Sequence, residues 1–226
     1  MHVLKSHINS FHYLYQDAEY FHNQAKLPNS GFESIRASRT ALLLYILSLE
    51  GLINRALEAF LPEPQRQFFV EREERFSLED KWQLLPLMAG HGGPKVFDKS
   101  AQAWARFIEL IRIRNEFVHP KHDRPAYYEA VTATKWTALS WKKIPEGLGV
   151  KETDIIYRQT QIPRDPYAVR PEHVDTAKAA VDAVVAALDD LLGGRLSADG
   201  WLRGDGMGLV WPPGATLADL PKDGAI

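Results

Sequence analysis

Ala41-Leu42-Leu43-Leu44-Tyr45-Ile46-Leu47 is the most apolar stretch of the chain. It lies inside a longer run, residues 32 to 61, whose apolar side chains recur at helical spacing: Ile35, Leu42, Tyr45, Ile46, Leu49, Leu52, Ile53, Leu57 and Phe60. From Ala41 to Leu47 the run is hydrophobic around much of its circumference, which predicts a central helix covered on several sides. Glu50 and Asn54 interrupt it, four residues apart. Glu50 reads either as a solvent-facing residue or as a buried carboxylate paired with an arginine, Arg114 being one candidate.

Toward the N-terminus, Leu4, Ile8, Phe11, Leu14 or Tyr15, Ala18 and Phe21 predict a helix over residues 3 to 25. Pro28-Asn29-Ser30-Gly31 breaks it, and Ser30 with Glu33 fits a capping box for the central helix. His2, His7, His12 and His22 do not share a face, so they read as solvated or interfacial side chains and not as metal ligands.

Beyond the central helix come Pro62 and Pro64, then a charge-rich helical segment, 65 to 76, expected to present a solvated face. Ser77 and Asp80 predict a cap for a helix through Lys81, Trp82, Leu84, Leu85 and Met88, which Pro86 kinks or ends. Gly90-His91-Gly92-Gly93-Pro94 is a loop. It lacks the preceding strand and the following Lys-Ser/Thr of a phosphate loop. A second strongly amphipathic helix is expected from Asp98 to His119. Residues 126 to 143 read as helix, although Trp136 to Trp141 alternates well enough for a short strand. Glycine, proline and charge dominate 145 to 170, with one β-prone piece at Asp154 to Ile162. Pro171 then opens a helix through Val174, Val181, Val185 and Leu191 that Gly193-Gly194 ends. The expected architecture is all-α: an antiparallel helical bundle over residues 1 to 192, with an irregular insertion at about 145 to 170. A tail over 193 to 226 follows, docked through Trp201, Leu209 and Trp211 on the domain or on a partner.

The functional clue is Arg114-Asn115-Glu116-Phe117-Val118-His119-Pro120. One helical row reads Trp104, Ile108, Ile111, Asn115, Val118 and its neighbour reads Phe107, Ile111, Arg114, Val118. Both rows place a polar group where the period asks for an apolar one. An arginine drawn into a core needs a partner or a cavity. Pro120 stops the helix at about His119, leaving that imidazole at a helix C-terminus, whose dipole favours a cationic side chain. On an unbroken helix Arg114 and His119 lie roughly 140° apart. They converge only where the helix ends or across a dimer interface, whereas Arg112 shares a face with His119. Arg112, Arg114, Lys121 and Arg124 outnumber Glu116 and Asp123, forming a compact basic patch in which His122 also lies.

Composition narrows the classes. The 226 residues, 45% of them hydrophobic, suffice for one substantial core. A formal charge of −2 gives no global basic footprint, so nucleic acid would be met by a local patch. There is no cysteine, hence neither a disulfide nor thiolate chemistry. No metal or other cofactor is expected, since His119, His122 and Asp123 lack a supporting ligand cluster. No apolar run reads as a membrane span or a secretory h-region, and the expectation is a cytoplasmic protein without membrane contact.

The central run at 38 to 54, Leu-Glu-Asp-Lys-Trp at 78 to 82, and Arg114-Asn115 followed by His119 resemble the HEPN superfamily over residues 32 to 192. Its signature is an arginine, usually a polar residue after it, and a histidine four to six residues on. The resemblance implies a metal-independent endoribonuclease acting in toxin–antitoxin or defence systems. It implies Arg114, Asn115 and His119 as catalytic residues and a homodimer whose motifs face one cleft. Arg112, Lys121, His122 and Arg124 are candidate RNA-binding residues and Glu50 a supporting one. RNA is then the expected substrate, and an antitoxin or regulatory protein a further partner. The alternative is a non-catalytic module of the same kind, binding RNA, a nucleotide or a protein. In that case Arg114 only stitches two helices through Glu50.

Overall fold

The computed structural model describes residues 5–7, 9–28, 31–119, 127–132, 135–139, 141–200, 202 and 208–210. In chain order its elements are β1 (Lys5–His7), α1 (Ser10–Lys26), α2 (Gly31–Phe60), α3 (Gln65–Val70), α4 (Leu78–Ala89) and α5 (Gln102–Val118). There follow β2 (Tyr128–Thr132), β3 (Lys135–Ala138), α6 (Glu152–Ile155), α7 (Pro171–Leu191), α8 (Arg195–Ala198) and β4 (Gly208–Val210). The structure is mostly helical and all-α in character.

The expected central helix is α2, 30 residues long. Its neighbours are α1, α4 and α7, and α7 in turn packs on α5. Leu42, Tyr45, Ile46, Leu49, Leu52, Ile53 and Leu57 are buried against them. Contrary to the sequence expectation, α2 is long and apolar enough to cross a membrane by length and composition; 56% of its most apolar window is buried against the rest of this chain. Gly51 allows the start of α1 to come close: a Cβ there would meet Ser10 Cβ at 3.0 Å. The capping box of Ser77 and Asp80 forms as expected, the Asp80 N–H donating to Ser77 Oγ and the Ser77 N–H to Asp80. Pro86 lies inside α4 without ending it. Gly193 adopts φ 71° at the end of α7, and His91 packs so tightly on it that a Cβ would meet the ring at 2.6 Å.

Three expectations are corrected. The first helix starts at Ser10, capped by Asn9, not at residue 3; residues 5–7 instead pair antiparallel with 208–210. Residues 128–132 and 135–138 pair antiparallel, β2 with β3, where a helix was expected with a short strand from Trp136 as the alternative. Their β-branched and aromatic residues (Tyr128, Val131, Thr132, Trp136, Thr137) carry the strand preference locally. The third correction concerns α5, whose core row is Trp104, Phe107, Leu110 and Ile113, with Asn115 and Val118 exposed. With apolar residues at 107, 108, 110, 111 and 113, periodicity alone cannot choose between adjacent rows; packing selects the earlier one, with Phe107 on Trp82 of α4, Trp104 on Phe97, and the helix against α7. The Ser30 cap and the docking of Trp201 and Trp211 lie outside the described residues. Of the tail's start, Leu196 is buried in the core, and Asp189 accepts the Leu196 N–H at 2.7 Å.

The N-terminus of α7 depends on two neutral histidines. His22 is buried and sits 3.2 Å from the Pro171 carbonyl. His173 Nδ1 accepts the Arg170 N–H at 3.0 Å. Burial lowers both imidazoles below their ordinary value, helped at His22 by the Lys26 ammonium and opposed by Asp175. The folded chain therefore binds fewer protons than the unfolded one, and this contribution is complete above about pH 6.5 and lost as pH falls below it. Thermal midpoints measured down the pH scale should drop below that point. His22→Gln with His173→Asn should make the drop shallower; an unchanged drop would assign it to other groups.

Candidate active site

The last turn of α5 faces α2. Arg114 donates from Nη2 to Glu50 Oε2 at 2.9 Å and from Nη1 to Asn115 Oδ1 at 3.0 Å. Both ends of the ion pair keep contact with solvent, the side chains of Arg114 and Glu50 being 30% and 36% exposed. A guanidinium has five N–H donors. Two are engaged and three are not among the described residues. Asn115 is exposed, and its amide nitrogen is free to donate once its oxygen has accepted from Arg114.

His119 caps α5. Its backbone has left the helical region (φ −126°, ψ 69°), its N–H still donates to the Asn115 carbonyl at 3.0 Å, and it is exposed. The helix thus ends at Val118, and His119 follows as its first residue outside the helical region. Arg112 is exposed on α5 and does not join the Glu50 group. Lys121, His122 and Arg124 fall outside the described residues. One turn along α2 from Glu50, Asn54 accepts a hydrogen bond from Lys81 Nζ at 2.8 Å. Lys81, 6% exposed, belongs to the Leu-Glu-Asp-Lys-Trp segment and is the one buried ammonium beside this polar stripe among the described residues.

Sequence reading missed the clamp on the outer side of α5. Arg164 Nη1 donates to both oxygens of Glu116 at 3.0 Å, and its guanidinium lies over the Tyr157 ring at 4.4 Å. Two turns earlier, the Glu109 carboxylate accepts the backbone N–H groups of Gln159 and Thr160, each at 2.8 Å from Oε2. The segment expected to be an irregular insertion is strapped onto the helix that bears the motif. Tyr157, Ile162 and Val169 are buried with it. The sequence signal was available in the apolar Ile155, Ile156, Tyr157 and Ile162, but their partners on α5 sit some fifty residues away.

Among the described residues, no group of three or more His, Asp or Glu side chains is placed to hold a metal ion. Comparison of the chain with family models, curated proteins and solved structures finds no match.

Glu109→Ala leaves two backbone donors without their acceptor, at a cost of about 1–3 kcal/mol. Hydrogen exchange of residues 156–164 should speed up in this variant while α2 stays protected. Unchanged exchange there would show that the strap is held by other contacts.

Proposed function

We propose that this chain is a HEPN-type, metal-independent endoribonuclease with Arg114 and His119 at its centre, in the antiparallel helical bundle of that superfamily. The observation that carries the reading is the setting of Arg114. Glu50 and Asn115 hold its guanidinium in place from two sides, yet it remains open to solvent with donors to spare. A scissile phosphate would take those donors, and the guanidinium would stabilise the charge gathering on its oxygens in the transition state. RNA supplies its own nucleophile, the 2′-OH. His119 takes the proton of that hydroxyl as general base or returns one to the leaving 5′-oxygen as general acid. Asn115 orients the phosphate. The products are a 2′,3′-cyclic phosphate and a 5′-OH.

One chain brings one His119, while the reaction uses both an acid and a base. A symmetric homodimer with the two α5 ends facing a common cleft supplies the second. We place the protein in the cytoplasm, in a toxin–antitoxin or defence role with an antitoxin or regulatory partner.

The Glu50–Arg114 bond also gives footing to a second reading. If its whole role is to tie α5 to α2, the chain is a non-catalytic module that binds RNA, a nucleotide or a protein. The pair's solvent exposure favours the first reading, because a purely structural tie gains little where water competes for both partners.

Cleavage of bulk cellular RNA with chelator present separates the two. His119→Ala should lose about 10²–10⁴ of the native rate and Arg114→Ala about 10²–10³, both with folding retained. Equal cleavage by all three proteins would trace the activity to a contaminant. A native chain that binds RNA without cutting it would leave the module reading in place.

A further inference from the structure

Phe32, Arg36, Arg39, Leu43, Glu50 and Asn54 fall within roughly 60° of one another around α2 by the helical period, and none of them is buried. At the N-terminal end of this stripe two guanidinium–aromatic stacks stand side by side. Arg36 lies over the Phe32 ring at 4.7 Å, and Arg39 over the Tyr167 ring at 4.8 Å. Both rings are turned to solvent, Phe32 being 51% and Tyr167 53% exposed. At the other end Glu50 holds Arg114. Arg39 and Glu50 are eleven residues apart, about 16 Å of helix.

A second path joins the same two places. Tyr167 follows Arg164 by three residues, and Arg164 grips Glu116, two residues beyond Arg114 on α5. The stacked rings and the Arg114 centre are thus linked both along α2 and through the strap.

We propose that this stripe is a seat for single-stranded RNA, which it leads along α2 to Arg114. The inference rests on the ribonuclease reading for its ligand. Along the stripe the guanidinium groups of Arg36, Arg39 and Arg114 meet the one carboxylate of Glu50, which is already engaged; of the flanking carboxylates, Glu33 and Asp165, the latter accepts from the Tyr128 hydroxyl and the Tyr167 N–H. The surplus suits a phosphate backbone. The exposed rings offer flat apolar faces to unpaired bases, which a duplex keeps hidden in its own stack.

The structure contains its own control. Arg72 lies over the exposed Phe68 ring at 4.5 Å, the same chemistry beyond the C-terminal end of α2, beside Glu71 and Glu74.

The test is fluorescence anisotropy with a labelled single-stranded oligoribonucleotide carrying 2′-O-methyl groups throughout, which cannot be cut by its own 2′-hydroxyl. Phe32→Ala and Tyr167→Ala should each weaken binding about five- to a hundredfold. Arg39→Gln should weaken it and flatten the dependence of log K on log salt by about 0.7, the share of one single-strand phosphate. Tyr167→Phe and Arg72→Gln should bind as the native chain does, the former also showing that the fold tolerates change at that position. Native-like binding by the Phe32, Arg39 and Tyr167 variants would overturn the seat, as would equal loss in Arg72→Gln. Equal affinity for a duplex, or no binding by the native chain, would overturn it too. Because the probe cannot be cleaved, the outcome is separate from that of His119→Ala on cleavable RNA, and either proposal can fail alone.

Discussion

Burying α2 is the constraint on which the other elements depend. Thirty residues with so much leucine and isoleucine cannot stand in water, and at roughly 1.5–3 kcal/mol for each large side chain removed from it, covering them outweighs any local preference nearby. The helices α1, α4 and α7 are each amphipathic enough to cover one side, and α5 is held in turn on α7. Leu42→Ala or Leu49→Ala would open a cavity at the centre of all these contacts. What remains is a strip of α2 that no helix fully covers, and its residues are the polar and aromatic ones.

That strip gives Arg114 its partner. The arginine lies beside the core row of α5, next to Ile113, and reaches α2 where Glu50 interrupts the apolar run. The Arg164–Glu116 contact does a different job. It is more sheltered, a guanidinium nitrogen shared between both carboxylate oxygens, and it fixes the strap against α5. One ion pair thus shapes the scaffold, while the other is more open to solvent and engages two of the guanidinium's five N–H groups among the described residues. Proposing catalysis for the second and not the first follows from that difference in exposure and donor use.

Much of this was legible from residue order alone. The central run announced α2, Ser77 and Asp80 announced the start of α4, Pro120 the end of α5, and Pro171 with Gly193 the limits of α7, because each signal is local and steric. The Glu50–Arg114 contact was one of two open readings. The two rows read for α5 departed from the core row beyond Phe107, since several rows of that helix are nearly equally apolar and only the packing of the folded chain decides among them. The strands at 128–132 and 135–138 fall where helix was the first reading and a short strand from Trp136 the alternative, because aromatic residues spaced along a short segment satisfy either period. Glu109 and Arg164 were passed over, and Glu116 was read only as a charge set against the basic patch. A carboxylate on a helix looks solvated until the distant segment that folds over it is known.

The account turns on 2′-OH attack assisted by His119 and Arg114, and the ends of the RNA products report on it most directly. A defined oligoribonucleotide incubated with the native protein in chelator, and analysed by mass, should yield fragments ending in a 2′,3′-cyclic phosphate and beginning with a 5′-OH. Replacing the ribose at the cut site with 2′-deoxyribose should abolish that cut. Fragments with 3′-OH and 5′-phosphate ends, or cleavage that persists at the deoxy position, would contradict the mechanism and remove His119 and Arg114 from the roles given to them.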